Sequence, residues 1–278
     1  MMLWQKLPSE AVLPKFVLNG FPKSGLHLAE LMVSPVVRAQ ENDPLFSDAW
    51  VGTFNGHAWT NEWLPLRAIT YRLARVQAGR YVKGHCGHRD EIEQFSYYSG
   101  AAVVFIYRDL RDVAVSQAHH ILNPDSRQFK HPNKAIYEEL GSFDAVLAAV
   151  IEGLGPYPGV LERWALYAPW LDCEWVLAMP FERMRNEPER ASAEILEYGM
   201  RRVIASVGLE MRLDDAQFAE MVRTMALASQ QRQLAANFRK GNVGGWREAF
   251  TPEHKKLFKA HDRDGWLVRL GYEVGDGW

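Results

Sequence analysis

The chain is poor in cysteine. Cys86 and Cys173 are its only two in 278 residues, which excludes a disulfide-stapled scaffold and suits a reducing compartment. It also lacks any uninterrupted apolar run near the ~18 to 20 residues that a membrane-crossing helix needs. Its first residues, Met1 to Phe16, carry Lys6, Glu10 and Lys15 with two prolines, and have no apolar centre of the signal-peptide kind. A formal charge of −2 leaves nothing to steer the whole molecule onto nucleic acid. Internal repeats and low-complexity linkers are missing too. What remains is an ordinary globular composition, 47% hydrophobic and 24% charged, long enough for one large core. These absences point to a soluble cytoplasmic protein, one domain over residues 1–278, with neither membrane nor nucleic acid as partner.

What is present reads as an α/β fold. Phe16-Val17-Leu18-Asn19 is a short apolar run ending at Gly20, the pattern of a buried strand. A loop to Gly25 follows, then a helical pattern from Leu26 to Ser34 that Pro35 stops. Strand, turn, helix is the opening order of a nucleotide-binding unit. Further strands are predicted at 80–83, 101–107 and 174–179. The run Ala101 to Tyr107 is apolar throughout, as in a parallel sheet covered on both faces. Helices are predicted at 112–120, 143–154, 160–167 and 188–207. Two long connections, 41–70 and 121–142, are expected beside a site. The first carries Trp50, Phe54, Trp59 and Trp63, and the second is expected to act as a lid.

Three segments carry cations and glycine or hydroxyl groups suited to phosphate. Phe21-Pro22-Lys23-Ser24-Gly25 precedes a helix start, where free N–H groups and the helix dipole favour anions. It is not a Walker A loop, because the Gly-x-x-x-x-Gly-Lys-Ser/Thr spacing is missing. Arg108 follows the central strand, where ligands of open α/β sheets bind, and its planar fork suits phosphate. Ser116 lies further into the next helix. An ion pair of Arg108 with Asp112 is the purely structural alternative. The third segment, Arg239-Lys240-Gly241-Asn242-Val243-Gly244-Gly245-Trp246, can wrap a phosphate with backbone amides, or simply form a surface turn.

In order along the chain, Pro-Lys-Ser-Gly, Arg-x-x-x-Asp-Val-x-x-Ser and Arg-Lys-Gly-x-x-Gly-x-Trp resemble the motifs of the cytosolic-type sulfotransferases. Phe181-Glu182-Arg183-Met184 with Pro188 is similar to that family's Tyr-Glu-Asp-Met-Lys-x-x-Pro stretch. The resemblance runs from about residue 16 to 258. It implies a single-domain fold of the P-loop-kinase-like kind, with a mostly parallel sheet flanked by helices. It also implies the donor 3′-phosphoadenosine 5′-phosphosulfate (PAPS), the product adenosine 3′,5′-bisphosphate, and no metal. Lys23, Ser24, Gly25, Leu26 and His27 would hold the 5′-phosphosulfate. Arg108, Ser116, Arg239, Lys240 and Gly241 would hold the 3′-phosphate, and Phe181 would lie near the adenine. His85, in Lys83-Gly84-His85, would be the catalytic base, with Lys23 and Lys83 stabilising the leaving phosphate. Ser116 would temper the loop lysine. The implied acceptor is a small molecule, aromatic or of natural-product type, sulfated on a hydroxyl or an amine.

The chain departs from the family where Leu26-His27-Leu28 replaces Thr-Thr-Trp. Leu28 is expected to give the adenine an apolar contact in place of the indole. Arg247 to Lys256 departs from the family's dimer-forming stretch, which leaves the oligomeric state open. Two other readings stand beside this one. A non-catalytic module could bind adenosine bisphosphate without turnover. A kinase-like phosphotransferase is suggested by Arg108-Asp109-Leu110, but Ala114 stands where its magnesium-binding Asn belongs. His85, Cys86 and His88 have zinc-ligand side chains, yet no second Cys/His pair has metal-like spacing, so no metal site is expected.

Overall fold

A strand that is apolar at every position needs cover on both faces, and the run from Ala102 to Tyr107 receives it inside a six-stranded sheet. The computed structural model describes residues 13–40, 50–54, 65–122, 134–207, 213–231, 241–275 and 277–278. Its strands are β1 (Phe16–Gly20), β2 (Arg38–Ala39), β3 (Trp50–Phe54), β4 (Arg80–Cys86) and β5 (Ala102–Tyr107), followed by a separate hairpin of β6 (Gly153–Leu154) and β7 (Tyr157–Pro158), then β8 (Leu177–Pro180). The large sheet runs in the order β2-β4-β1-β5-β8, and every pairing in it is parallel. Along the outer edge of β4, β2 pairs with Arg80 and Tyr81, and β3 takes over from Lys83 to Cys86.

Successive strand residues point to opposite faces, and two cores follow from this. Val17, Val103 and Phe105 join one cluster, while Phe16, Leu18, Ala102, Val104 and Ile106 join the other. The helices after the first strands are α1 (Leu26–Val33), α2 (Leu66–Ala74), α3 (Asp90–Tyr98) and α4 (Leu110–Leu122). The second face is covered by α1 with the helices Pro188–Val207 and Asp215–Gln230. The first is covered by α2, α3 and α4, with helices at Phe143–Glu152, Val160–Ala165 and Pro252–His261. Phe105, fully buried, stacks on Trp164 and Trp170 at 6.1 and 6.4 Å. No helix among the described residues is long and apolar enough to cross a membrane.

The structure lengthens and corrects the sequence expectations. The strand expected at 80–83 continues to Cys86, and so carries His85 on a rigid element. The last strand begins only at Leu177. The connection expected at 41–70 is not all loop, since it contains β3 and the start of α2. Trp59 and Trp63 lie outside the described residues, and Trp50 and Phe54 are placed only as backbone of β3. Of the expected lid, 123–133 lies outside the described residues, and Lys134–Glu138 is helical.

Candidate functional site

Because the strand order runs β4-β1-β5-β8, four residues remote in sequence stand at adjacent carboxyl ends. His85 ends β4, the Lys23 loop leaves β1, Arg108 follows β5 and Phe181 follows β8. The ends are level, with Asn19 opposite Gly84, Gly20 opposite Ile106 and Tyr107 opposite Pro180. This is where open parallel sheets bind ligands, and β1 is the strand about which the order reverses.

The loop after β1 is pinned from beneath. The Phe21 ring is fully buried, edge-on to Trp164 and Tyr167 at 5.4 and 5.1 Å. The Ser24 hydroxyl, also fully buried, is shared between the carbonyls of Phe21 at 2.5 Å and Ile106 at 2.9 Å. The expectation that this hydroxyl faces a phosphate is therefore corrected, because it ties the loop to β5. Lys23 adopts a left-handed φ of 71°, which costs a non-glycine residue about 1–2 kcal/mol and aims its side chain away from the regular path. Gly25 has φ 99°, and a Cβ there would stand 2.4 Å from the Phe181 ring, so the loop can lie on Phe181 only as glycine. Leu26 and Leu28 turn their side chains into the core. Leu28, from which an adenine contact is expected, is buried in the same cluster as Phe181. What α1 presents instead is backbone: it has no side-chain cap, and its first N–H groups, at Leu26 and His27, have no intrahelical acceptor.

His85 is half-buried, and its Nδ1 lies 2.6 Å from the Gly20 carbonyl. A carbonyl only accepts, so Nδ1 carries the proton and the basic lone pair sits on Nε2. Burial pushes the imidazole down to about 4. The Gly20 bond opposes that shift, while the charges of His27, Lys23 and Lys83 add to it. Tyr167 anchors His85 by donating to its backbone carbonyl at 3.1 Å.

Lys83 is already engaged, forming an ion pair with Glu30 at 2.5 Å. Glu30 also accepts from Tyr81 at 3.0 Å and meets His27 Nδ1 at 3.2 Å. Burial alone would raise its carboxyl, but the bonds to His27, Lys83 and Tyr81 and the Lys83 charge bring it down to about 2. Glu30 was not singled out from the sequence. Its only signal there is an acid three residues after His27 on the donor-loop helix.

Arg108 is buried and gives Nη2 to Asp112 at 3.2 Å and to the Asn242 carbonyl at 2.6 Å, while its buried Nε has no partner among the described residues. Its guanidinium lies 4.4 Å over the Phe181 ring. The ion pair that stood as the structural alternative is thus real, and it does more than pair. Asp112 also accepts from the N–H groups of Gly244 at 2.8 Å and Trp246 at 2.9 Å, and Arg185 donates to the Gly241 carbonyl at 3.1 Å. The glycine-rich C-terminal segment is fastened beside Arg108 by these bonds. Gly241 is in place, and Arg239 and Lys240 lie outside the described residues. Ser116, half-buried, stands one turn beyond Asp112 on α4. Lys23 closes the group: burial first, and the Arg108 charge second, bring its ammonium down to about 8.

Two cationic groups thus stand at the strand ends, Lys23 with the start of α1 and Arg108 with the 241–246 segment, and the His85 imidazole lies beside the first. A sulfotransferase domain model matches residues 13–264. Sulfotransferase 1A1 of Bos taurus is 28% identical over 170 residues, 57% of this chain and 52% of that protein, so the match spans about half of that curated relative. Among solved structures, mouse sulfotransferase SULT7A1 complexed with PAP aligns with a TM-score of 0.56 at 17% identity, covering 95% of this chain and 91% of the other. That likeness is one of fold. The domain match takes in His85, Lys23, Arg108 and the 241–246 segment, and the chain belongs to the sulfotransferase domain family.

Proposed function

We propose that this protein transfers a sulfuryl group from PAPS to a hydroxyl or amine of a small-molecule acceptor. The observation that carries the reading is the convergence of His85, Lys23, Arg108 and Phe181 at four adjacent strand ends. Lys23 and the N–H groups opening α1 would hold the 5′-phosphosulfate. Arg108 and the segment at Gly241 would hold the 3′-phosphate, with Arg239 and Lys240 expected to join them. Ser116, one turn beyond Asp112, would join them and moderate Lys23. Phe181 backs both ends, touching the Arg108 guanidinium and the Gly25 backbone. Lys83 is paired with Glu30 through one of its three N–H donors and would turn another toward the leaving group.

His85 supplies the base. Its Nε2 takes the proton from the acceptor oxygen or nitrogen as that atom attacks sulfur, and the bond from sulfur to the 5′-phosphate oxygen breaks. Lys23 offsets the charge growing on that oxygen. With Nδ1 held by Gly20, the ring is already neutral and correctly oriented at physiological pH.

The test is turnover of PAPS with a pool of phenols, alcohols, amines and sugars, following adenosine 3′,5′-bisphosphate and the sulfated product by mass spectrometry. His85→Ala should lower kcat at least ~100-fold and leave nucleotide affinity intact. Near-normal turnover in that variant would remove His85 from the chemistry. Binding of the bisphosphate with no turnover of PAPS by the native protein would favour the binding-module alternative.

A further inference from the structure

We propose that His88, Glu93 and Cys173 form a binding site for a zinc-like divalent metal ion, separate from the sulfuryl-transfer residues. Three loosely connected pieces of chain meet here. His88 lies just past β4, Glu93 is in the first turn of α3, and Cys173 caps the 3₁₀ helix Ala168–Asp172. One ligand atom from each lies within 4.8 Å of the other two, and all three residues are half-buried, so an ion can reach them from solvent. The zinc pattern considered from the sequence, His85-Cys86-x-His88, does not form. Cys86 is buried in the core, and its backbone is paired with the Asn19 side chain. The partners of His88 come from elsewhere in the chain.

The donor set has the chemistry of a zinc site, one nitrogen, one oxygen and one sulfur, with a fourth position left for water. Each ligand is also aimed by a neighbour. The Glu93 Oε1 accepts from the Trp175 indole at 3.2 Å, which turns Oε2 toward His88 Nε2 at 2.7 Å. The His88 ring is braced edge-on against Trp170 at 5.2 Å. The Cys173 thiol donates to the Pro169 carbonyl at 3.6 Å, which holds its sulfur within 4.8 Å of the other two ligand atoms. Outer partners of this kind are what hold ligating carboxylates and imidazoles in register.

Tetrahedral zinc spaces such ligand atoms about 3.5 Å apart, so the His88–Glu93 contact opens and Cys173 moves in, within the reach of side-chain rotation. The protons balance as follows. The imidazole proton moves from Nε2 to Nδ1 through solvent, and the Cys173 thiol releases its proton to water as the sulfur–metal bond forms. One thiolate and one carboxylate then neutralise the dication, which suits a half-buried place. Binding would fasten the segment that begins three residues after His85 to the loop entering β8.

The test is titration of the metal-free protein with Co²⁺, then displacement by Zn²⁺. A cobalt–thiolate charge-transfer band with tetrahedral d–d absorption is expected at one equivalent, and Zn²⁺ should abolish it. Cys173→Ser should lose the charge-transfer band. His88→Ala and Glu93→Gln should each weaken binding by more than the roughly 10- to 100-fold that loss of an outer partner costs, and Trp175→Phe should fall within that range. In the native protein, Zn²⁺ at about 100 times its dissociation constant should raise the melting midpoint by roughly 5 °C, a readout that stands if a variant fails to fold. Absence of a thiolate band in the native protein, or its persistence in Cys173→Ser, would overturn the proposal. The same holds if Zn²⁺ leaves the native melting midpoint unmoved.

Discussion

Burial lowers both His85 and Lys23 from their usual titration ranges, which suits the one as a base and limits the other as a cation. A base must be unprotonated, and burial keeps the imidazole so down to about pH 4. An anion-holding ammonium must be protonated, and burial beside Arg108 lets Lys23 keep its proton only up to about pH 8. Since kcat/KM reports the free enzyme, its profile for PAPS should rise through a limb near pH 4 and fall through one near pH 8. Lys23→Arg, whose charge persists, should move the alkaline limb upward, and an unmoved limb would assign it to another group. Near the 241–246 segment, the buried Arg108 Nε has no partner among the described residues. Arg108→Ala should weaken binding of adenosine 3′,5′-bisphosphate far more than that of its 3′-dephospho analogue, by calorimetric titration of both. Equal losses would place the 3′-phosphate elsewhere.

Among the elements, α4 organises the surroundings of Arg108, the proposed 3′-phosphate end. Asp112 in its first turn binds Arg108 behind it and two N–H groups of the C-terminal segment across from it. Removing one member of a buried, hydrogen-bonded charge pair costs about 3–5 kcal/mol. Asp112→Ala should lower unfolding stability by that amount in urea, and a loss under about 1 kcal/mol would mean the segment is held by other contacts. Strand β4 plays a comparable part at the other end. Had it stopped at Lys83, as the sequence pattern suggested, His85 would sit on a loop. Ladder pairing with β1 as far as Gly84 and with β3 through Cys86 instead fixes the backbone from which the His85 ring reaches the Gly20 carbonyl.

Across the whole molecule, two cores sandwich one sheet, and the site depends on both because its residues hang from the strand ends. Phe105 is fully buried against two indoles, so Phe105→Ala should cost about 3–5 kcal/mol by denaturant unfolding. A cost below 1 kcal/mol would show that the surrounding rings close over the gap. The central strands were legible because burial on both faces demands an apolar residue at every position. The edge strands β2 and β3 were not, since two to five residues on a sheet margin need no distinctive pattern. Helices α3 and Asp215–Gln230 also escaped notice, because each buries only a narrow stripe and reads as mixed polar sequence.

Where the loops after β1 and β5 and the glycine-rich C-terminal segment fall, and in what order, was set by the sequence alone, because buried strands, left-handed glycines and helix starts depend on neighbours along the chain. Only the tertiary structure decided what each side chain does there. It turned Ser24 and Leu28 inward, gave Lys83 to Glu30, and used Asp112 to bring the last glycine-rich segment to Arg108. It also put Cys173 beside His88 and Glu93. Those outcomes depend on partners distant in the chain, and hydrogen bonds, ion pairs and desolvation act only between groups that folding has brought within a few ångströms.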